Sequence, residues 1–485
     1  MKKYNPLTIF ILIFGVAVIF FTQFSTPTLY DADGYLHIRM AEFLKDFGPH
    51  YNFHWARFST FNGNFSDKDF LYHVALIPFT FFKDIFLGAK IAAFMSAAAL
   101  FLGFYLILRK YADRKIIPFM LLGFLFSANF LEAISSPRPL TLVILLNLWI
   151  IHLLIQRKYL WLLFAGALYS LIHVTSPLAI CYAVIIESVR YADRKEFSLK
   201  NIFVAFSGVF AGFLIHPNFP NNFLVFYLNS ILVPIYAMKT GVLELGAEFF
   251  PLNTRDYLLS YPVVIMAIII MIRIAISKVI KPRFETKVFL ALGMAFLVLS
   301  FIAQRYLSHG YLIMLIALAC YISDSSFVYD KLKKAQVIFM TILFLLLGLN
   351  SYNGIKYNAF VSRVINGHYE AVGRWMEKNI PEKELIFHAN WSDSQYFIGL
   401  NPKNDYFVTL DPVYMYDKNP GLYKIYRDVS FGKTTDPYLV LKDTFKARYG
   451  YAGKNYFGGL VEQIRKDSRF MILAEDQFGI IFERK

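Results

Sequence analysis

Apolar residues in this chain come in long uncharged runs separated by short basic stretches. The first run, Leu7 to Phe24, is long enough to cross a hydrocarbon core ~30 Å thick at ~1.5 Å per residue. No small-residue cleavage site follows Phe24, so the spacing predicts a retained first helix rather than a cleaved leader. Basic clusters follow at Lys2 and Lys3, Arg109 to Lys115, Arg157 to Lys158, Arg190 to Lys200, Lys278 to Lys287 and Lys331 to Lys334. By the positive-inside rule all of them face the cytoplasm. The stretches between them, Ser25 to Phe70, Ser135 to Pro139, the turn near His173, His216 to Tyr257 and Gln304 to Gly310, are then outside. Parity gives about eleven crossings, the last over Ala335 to Ile355.

Two segments do not read as ordinary spans. Tyr159 to Ile186 has basic flanks at both ends yet is short for two full crossings, which predicts two short helices joined by a turn at His173 to Pro177. Phe223 to Met238 is apolar, but as a full span it would move Lys278 to Lys287 outside, so an interfacial or re-entrant helix fits it better. After residue 355 the pattern changes: charges return and apolar residues become periodic. The expected organisation is therefore a transmembrane domain, 1–355, whose outer loop 25–70 carries an acidic motif, and an extracytoplasmic α/β domain, 356–485. In that tail, Tyr369 to Asn379, Gly421 to Asp428 and Leu460 to Lys466 read as helices. Glu384 to His388 and Tyr406 to Leu410 read as buried strands, and Phe470 to Phe482 as a terminal strand pair.

Composition agrees. Of 485 residues, 57% are hydrophobic and 17% charged, with a mean hydropathy of +0.47, which excludes a water-soluble globule, a disordered chain and a disulfide scaffold. Cys181 and Cys320 both fall inside apolar runs and read as small buried hydrophobes. The net charge of +15 lies largely in the short loops, where it orients the chain in a bilayer, and no basic surface with base-stacking aromatics points to nucleic acid.

The candidate chemistry sits in the outer loops. Directly after the first run comes Tyr30-Asp31-Ala32-Asp33-Gly34-Tyr35-Leu36-His37-Ile38-Arg39, with two carboxylates at the membrane edge. Asp33 is placed to cap a helix reaching about Phe47, whose Leu36, Met40, Phe43, Leu44 and Phe47 recur at helical spacing. Asp33 and His37 then share a face at i, i+4, and the spacing returns at Asp69 and His73 in Asp67-Lys68-Asp69-Phe70-Leu71-Tyr72-His73. Such groups suit a hard divalent cation, Mg or Mn, held by Asp31, Asp33 and Asp69, or general-base work by a carboxylate; the null is helix caps and solvated charge. Arg138, Arg305 and His309 lie at the outer ends of later runs, where charge is costly without a partner, and a lipid phosphate would take bidentate guanidinium bonds. His173 and His216 read as ordinary hydrogen-bonded histidines. Glu244 and Glu248 read as loop charge.

An opening span followed by an outer-loop Asp-x-Asp with Asp33-Gly34-Tyr35, a trailing amphipathic helix, many spans with short outer loops and an α/β tail resembles the GT-C superfamily of polyprenyl-phosphate-dependent glycosyltransferases. The layout is most similar to single-subunit oligosaccharyltransferases and, more distantly, to protein O-mannosyltransferases. The resemblance implies that Asp33, with Asp31 as the other candidate, is the general base of an inverting transfer, and that Arg138 and Arg305 hold the donor phosphate. It matches an outer-loop glutamate to Glu244 or Glu248, and a tail acceptor motif to Asn390-Trp391-Ser392-Asp393, with Ser392 where a tryptophan is usual. Ser136 and Arg138 stand where those enzymes carry an acidic metal-binding pair. His37, Arg39, Asp69, His73, Trp391 and Asp393 are the further acceptor-site candidates.

The implied activity is transfer of a sugar from a polyprenyl-phosphate donor to a glycan, lipid or protein acceptor at the outer face of a bacterial or archaeal cytoplasmic membrane, with the N-terminus inside. The alternative is a transporter or lipid flippase using the same charges as substrate sites; it predicts two similar halves, which the sequence lacks.

Overall fold

The computed structural model describes residues 6–239, 241–276, 281–325 and 334–485. The anchors Lys2, Lys3, Lys278, Lys331 and Lys333 lie outside the described residues. The chain folds as two compact units. One comprises Met1–Pro27, Lys90–Ile215 and Gly246–Val361, the other Thr28–Ala89, His216–Leu245 and Ser362–Lys485.

The first unit is a bundle of apolar helices. Among the described residues of the whole chain, four helices are long and apolar enough to cross a membrane: Pro6–Phe24, Ile85–Tyr111, Asn221–Met238 and Arg305–Asp324. Two bent pairs, Ile117–Leu125 with Ala128–Ser135 and Thr254–Ser260 with Pro262–Ile272, raise the number to six. The expected eleven crossings would require shorter helices such as Leu140–Ile155 and Leu199–Leu214 to cross as well. Tyr159 to Ile186 is two helices, Tyr159–Ile172 and Leu178–Arg194, joined through the turn at His173 to Pro177 as its length required. Close packing comes from small residues: a Cβ on Gly208 would lie 2.5 Å from the Leu163 carbonyl oxygen, and one on Gly212 2.5 Å from that of Ala167. With lipid as apolar as the helices, such backbone approach is what holds spans together. Cys320 is buried, but Cys181 is exposed, contrary to its reading as a core residue.

The second unit is built on a five-stranded sheet. Its strands are β1 (Leu385–His388), β2 (Asp405–Tyr406), β3 (Tyr449–Gly453), β4 (Phe470–Glu475) and β5 (Gly479–Arg484), in the order β2-β1-β3-β5-β4. β1 is parallel to β2 and β3; β5 is antiparallel to β3 and β4. The terminal strand pair and the helices Pro420–Ser430 and Lys454–Lys466 match the pattern of the sequence. The helix expected at Tyr369 is the end of one continuous helix, Lys334–Asn379. The strand expected over Tyr406 to Leu410 stops at Tyr406, because the Phe407 N–H goes to His388 Nε2 at 3.1 Å and Leu410 turns to a positive φ of 66°. β3 and the helix Asp393–Leu400 were not legible in advance.

Beside the tail, this unit takes in the segment that follows the first helix. Trp55 to Phe58 lie along the β2 edge: the Tyr406 N–H donates to the Trp55 carbonyl at 2.6 Å and the Arg57 N–H to the Tyr406 carbonyl at 2.8 Å. The helix Ala32–Phe47 buries Leu36, Met40, Phe43 and Leu44 as its spacing predicts, whereas Phe47 is exposed. Its cap is Asp31, not Asp33: the Asp31 carboxylate accepts from the Gly34 N–H at 3.1 Å, and Asp33 lies in the first helical turn.

Candidate functional site

In the sheet-bearing unit, two helices of the segment after the first span meet through their histidines. His37, from Ala32–Phe47, and His73, from Phe70–Leu76, place Nδ1 and Nε2 2.7 Å apart, and His73 Nδ1 lies 2.8 and 2.7 Å from the two oxygens of Asp67. His73 is 0% exposed, Asp67 2% and His37 4%, so these polar groups are removed from water and each bond counts. Asp67 is itself fixed by its backbone, which receives His216 Nε2 on its carbonyl at 3.0 Å and donates its N–H to Asn218 Oδ1 at 3.0 Å. His216 is thus the hydrogen-bonded histidine expected, its pKa lowered by burial. Asp69 is buried beside this group, and burial, against the opposing pull of Lys68 and His73, lifts its carboxyl to about 6. Sequence spacing singled out Asp69 with His73; the residue in contact with His73 is Asp67.

Asp33 and Asp31 stand at the start of the same helix as His37, near Tyr396 of the tail. The charges of both reach the Tyr396 hydroxyl, which burial and the surrounding carboxylates hold well above its usual range. Tyr396 stacks on Tyr369 at 4.2 Å between centroids, and the Tyr369 hydroxyl donates to Asp393 at 2.7 Å. Asp393 is buried, its pKa pushed up to about 7 by that burial, so it sits inside the fold rather than on a peptide-reading surface; Trp391 beside it is half-buried. Arg39 Nε and Nη2 both donate to the Gly399 carbonyl, which makes Arg39 a fastener between two helices. Glu244 pairs with Arg427 at 2.6 Å.

The bundle unit holds the cationic group. Arg305, at the start of Arg305–Asp324, lies over the Phe249 ring and 3.6 Å from Glu248. Arg305, Glu248 and Arg138 all act electrostatically on His309, one turn further along that helix. His309 is buried, and its Nδ1 has no hydrogen-bond partner among the described residues. Arg138 and Glu132 both act electrostatically on Tyr261. Glu132, which accepts from Asn358 at 2.6 Å, went unnoticed in the sequence, although a glutamate inside an apolar run is the signal that would have found it. An apolar groove of about 990 Å³ lies in the same unit, lined among others by Phe14, Phe119, Leu318, Met340 and Tyr352.

For a divalent cation the donors present do not fit. Among the described residues no three His, Cys, Asp or Glu side chains converge as ligands, and Asp31, Asp33 and Asp69 are not assembled into one set.

No family model matches the chain, and no curated protein matches it in sequence. Its fold does match solved structures. ArnT from Cupriavidus metallidurans, bound to undecaprenyl phosphate, aligns with a TM-score of 0.62 over 98% of this chain and 97% of that one, at 12% identity. The oligosaccharyltransferase AglB from Archaeoglobus fulgidus, in complex with an inhibitory peptide and a dolichol-phosphate, aligns at 0.61 over 98% and 74%, at 12% identity. The mycobacterial arabinofuranosyltransferase AftD aligns at 0.52 over 97% and 41%, at 13% identity. At 12–13% identity the likeness to all three is one of fold.

Proposed function

We propose that this protein is a membrane glycosyltransferase that moves a sugar from a polyprenyl-phosphate carrier to a glycan, lipid or protein acceptor, on the outer face of a bacterial or archaeal cytoplasmic membrane. The observation that carries this reading is the near-complete mutual coverage with a glycosyltransferase solved with undecaprenyl phosphate, 98% of this chain and 97% of that one.

In this reading the Asp33 carboxylate takes the proton of the acceptor hydroxyl as its oxygen attacks the sugar C1. The bond from C1 to the phosphate oxygen breaks on the opposite face, inverting the centre, and its electron pair leaves on the phosphate. Asp31 is less suited to the role because it caps the helix at Gly34. Arg138 and Arg305 neutralise the leaving phosphate, with the buried His309 beside them as a further donor. The apolar groove suits the prenyl chain, since Met340 to Tyr352 along its wall span ~18 Å of helix. A base of this kind contributes ~10²–10⁴ in rate, and the phosphate contacts at least as much, so both are needed.

The test is transfer of labelled sugar from a panel of polyprenyl-phosphate donors by protein in lipid nanodiscs, with and without chelator or added Mg or Mn. Turnover by the wild type that is lost in a folded Asp33→Asn variant supports the reading. A wild type that binds lipid but consumes no donor returns the chain to the transporter alternative.

A further inference from the structure

A pocket of about 150 Å³ that the transfer as just described does not use lies in the tail, where the end of the helix Lys334–Asn379 passes β4 and β5. Ala371 and Trp375 line it from the helix, Glu475, Asp476 and Gly479 from the two strands and their turn, and the buried Tyr451 from β3. Gly479 permits the close approach of that ring, since a Cβ there would lie 2.6 Å from the Tyr451 hydroxyl. Rings elsewhere in the tail pack on one another. Trp375 is half-buried with no ring partner, and its indole N–H has no acceptor among the described residues. The polar groups of the pocket are acceptors. Lys454 and Arg465 both bind Glu475 Oε1, which leaves Oε2 without a partner among the described residues. Asp476 accepts the Phe478 and Gly479 N–H groups on Oδ1 at 2.8 and 2.9 Å, and His368 Nδ1 on Oδ2 at 2.5 Å. With that proton on Nδ1, His368 Nε2 accepts from the Tyr451 hydroxyl at 2.8 Å, whose oxygen stays an acceptor.

An occupant must therefore offer an apolar face to an indole and hydrogen-bond donors to carboxylates. A cation would do the second, but Lys454 and Arg465 already balance the two carboxylates, so a neutral donor fits better. A pyranose ring has both features, a face of C–H groups and a rim of hydroxyls. The pocket is small beside the ~300–1,000 Å³ of sites that enclose whole small-molecule ligands, and so takes one ring of a longer chain. We propose that it is a sugar subsite, in which one ring of a glycan acceptor lies on Trp375 and donates hydroxyls to Glu475 and Asp476 while another residue of the same glycan reacts. The inference rests on the glycosyltransferase reading and commits its acceptor, among glycan, lipid and protein, to a glycan. Tyr451 lies 6.0 Å from the ring of Tyr369, which stacks on Tyr396, the group that feels the charge of Asp33. The ring held here is thus a remote part of the substrate, and its binding energy serves to position the hydroxyl that reacts.

The test titrates the full chain in nanodiscs with maltotriose, mannotriose and chitotriose, read by saturation-transfer NMR and by indole fluorescence. At least one trisaccharide should bind saturably. Trp375→Ala should weaken that binding about tenfold or more, and Trp375→Phe, which keeps a ring face, by less. Ala371→Phe, at an exposed helix position, puts a ring into the pocket and should abolish binding with Trp375 still in place, so the result does not hang on one variant folding. With labelled polyprenyl-phosphate donor, the KM for an oligosaccharide acceptor should rise about tenfold in Trp375→Ala. No binding of any of the three sugars, or equal binding by wild type, Trp375→Ala and Ala371→Phe, overturns the subsite and leaves the transferase reading as it stands. Binding of n-propylammonium but of no sugar overturns it too, in favour of a cation site. Transfer to lipid or protein but to no oligosaccharide overturns the glycan acceptor. Sugar binding that is lost in Trp375→Ala, by a wild type that transfers nothing, leaves a sugar-binding tail and removes the transferase reading.

Discussion

Arg39 donates from Nε and Nη2 to a single acceptor, the Gly399 carbonyl oxygen, at 2.9 and 2.8 Å. The helix Ala32–Phe47 is thereby fastened to the tail helix Asp393–Leu400, 360 residues away in sequence. Beneath that bond the two backbones nearly touch: a Cβ on Gly399 would lie 2.7 Å from the Tyr35 carbonyl oxygen. Asp33 therefore stands on a helix clamped by its own tail. Arg39→Ala removes a charged double donor and strands a carbonyl, and should lower stability by about 2–3 kcal/mol, read as thermal unfolding in lipid. An unfolding midpoint equal to wild type would return Arg39 to the acceptor-site candidates.

Asp31 and Asp33 should separate cleanly. Asp31→Ala deletes a helix cap and should cost about 1 kcal/mol of stability while leaving transfer measurable. Asp33→Asn should unfold near the wild-type temperature and lose transfer by at least ~10²-fold. The opposite assignment, activity lost with Asp31 and kept with Asp33, would make Asp31 the base.

Asp393 predicts a pH dependence of stability. Its folded value of about 7 lies above the 3.8 of an exposed aspartate. The stability it contributes is therefore fully present below about 3.8 and lost as pH rises through 7, where the buried group must ionise. Asp393→Asn keeps an acceptor for the Tyr369 hydroxyl without the charge, and should melt higher than wild type at pH 8, the difference vanishing toward pH 4. Parallel melting curves across that range would show that Asp393 is not the buried acid its surroundings make it.

Arg138 and Arg305 carry the donor side of the proposal. Arg305→Lys and Arg138→Lys each replace a fork of donors with a point charge, and should raise the KM for a polyprenyl-phosphate sugar by about tenfold or more. Glutamine at either position should also lower kcat, since the leaving phosphate then gathers charge without a cation. Neither change should alter binding of a neutral prenyl alcohol, which offers the groove the same chain without the phosphate.

The outer-loop chemistry was only half legible in the sequence. The repeated spacing of Asp33 with His37 and of Asp69 with His73 drew attention to the right loop. A period of four nevertheless reports which residues share a helical face, not which meet across helices. His73 reaches back six residues to Asp67 because the chain turns between them, and back 36 residues to His37 because two helices pack together. Asp69 and Asp393 read as acceptor-site candidates and are buried, since burial of a polar residue depends on what covers it. Glu132 stands out as a lone carboxylate in an apolar run, but its partner Asn358 lies 226 residues away and is not visible in the sequence.

By itself the sequence determined the membrane character, the two short helices around His173 and the α/β nature of the tail. These follow from hydropathy, charge asymmetry and period, which act over one or two turns of chain and need no partner. Tertiary structure alone decided that Trp55 to Phe58 lie along the β2 edge, that Asp31 rather than Asp33 caps the helix, and that Asp67, His73 and His37 stand in one hydrogen-bonded row. Each depends on groups far apart in sequence losing water together, and the cost of burying an unpaired polar atom selects the arrangement only once the chain has closed around it.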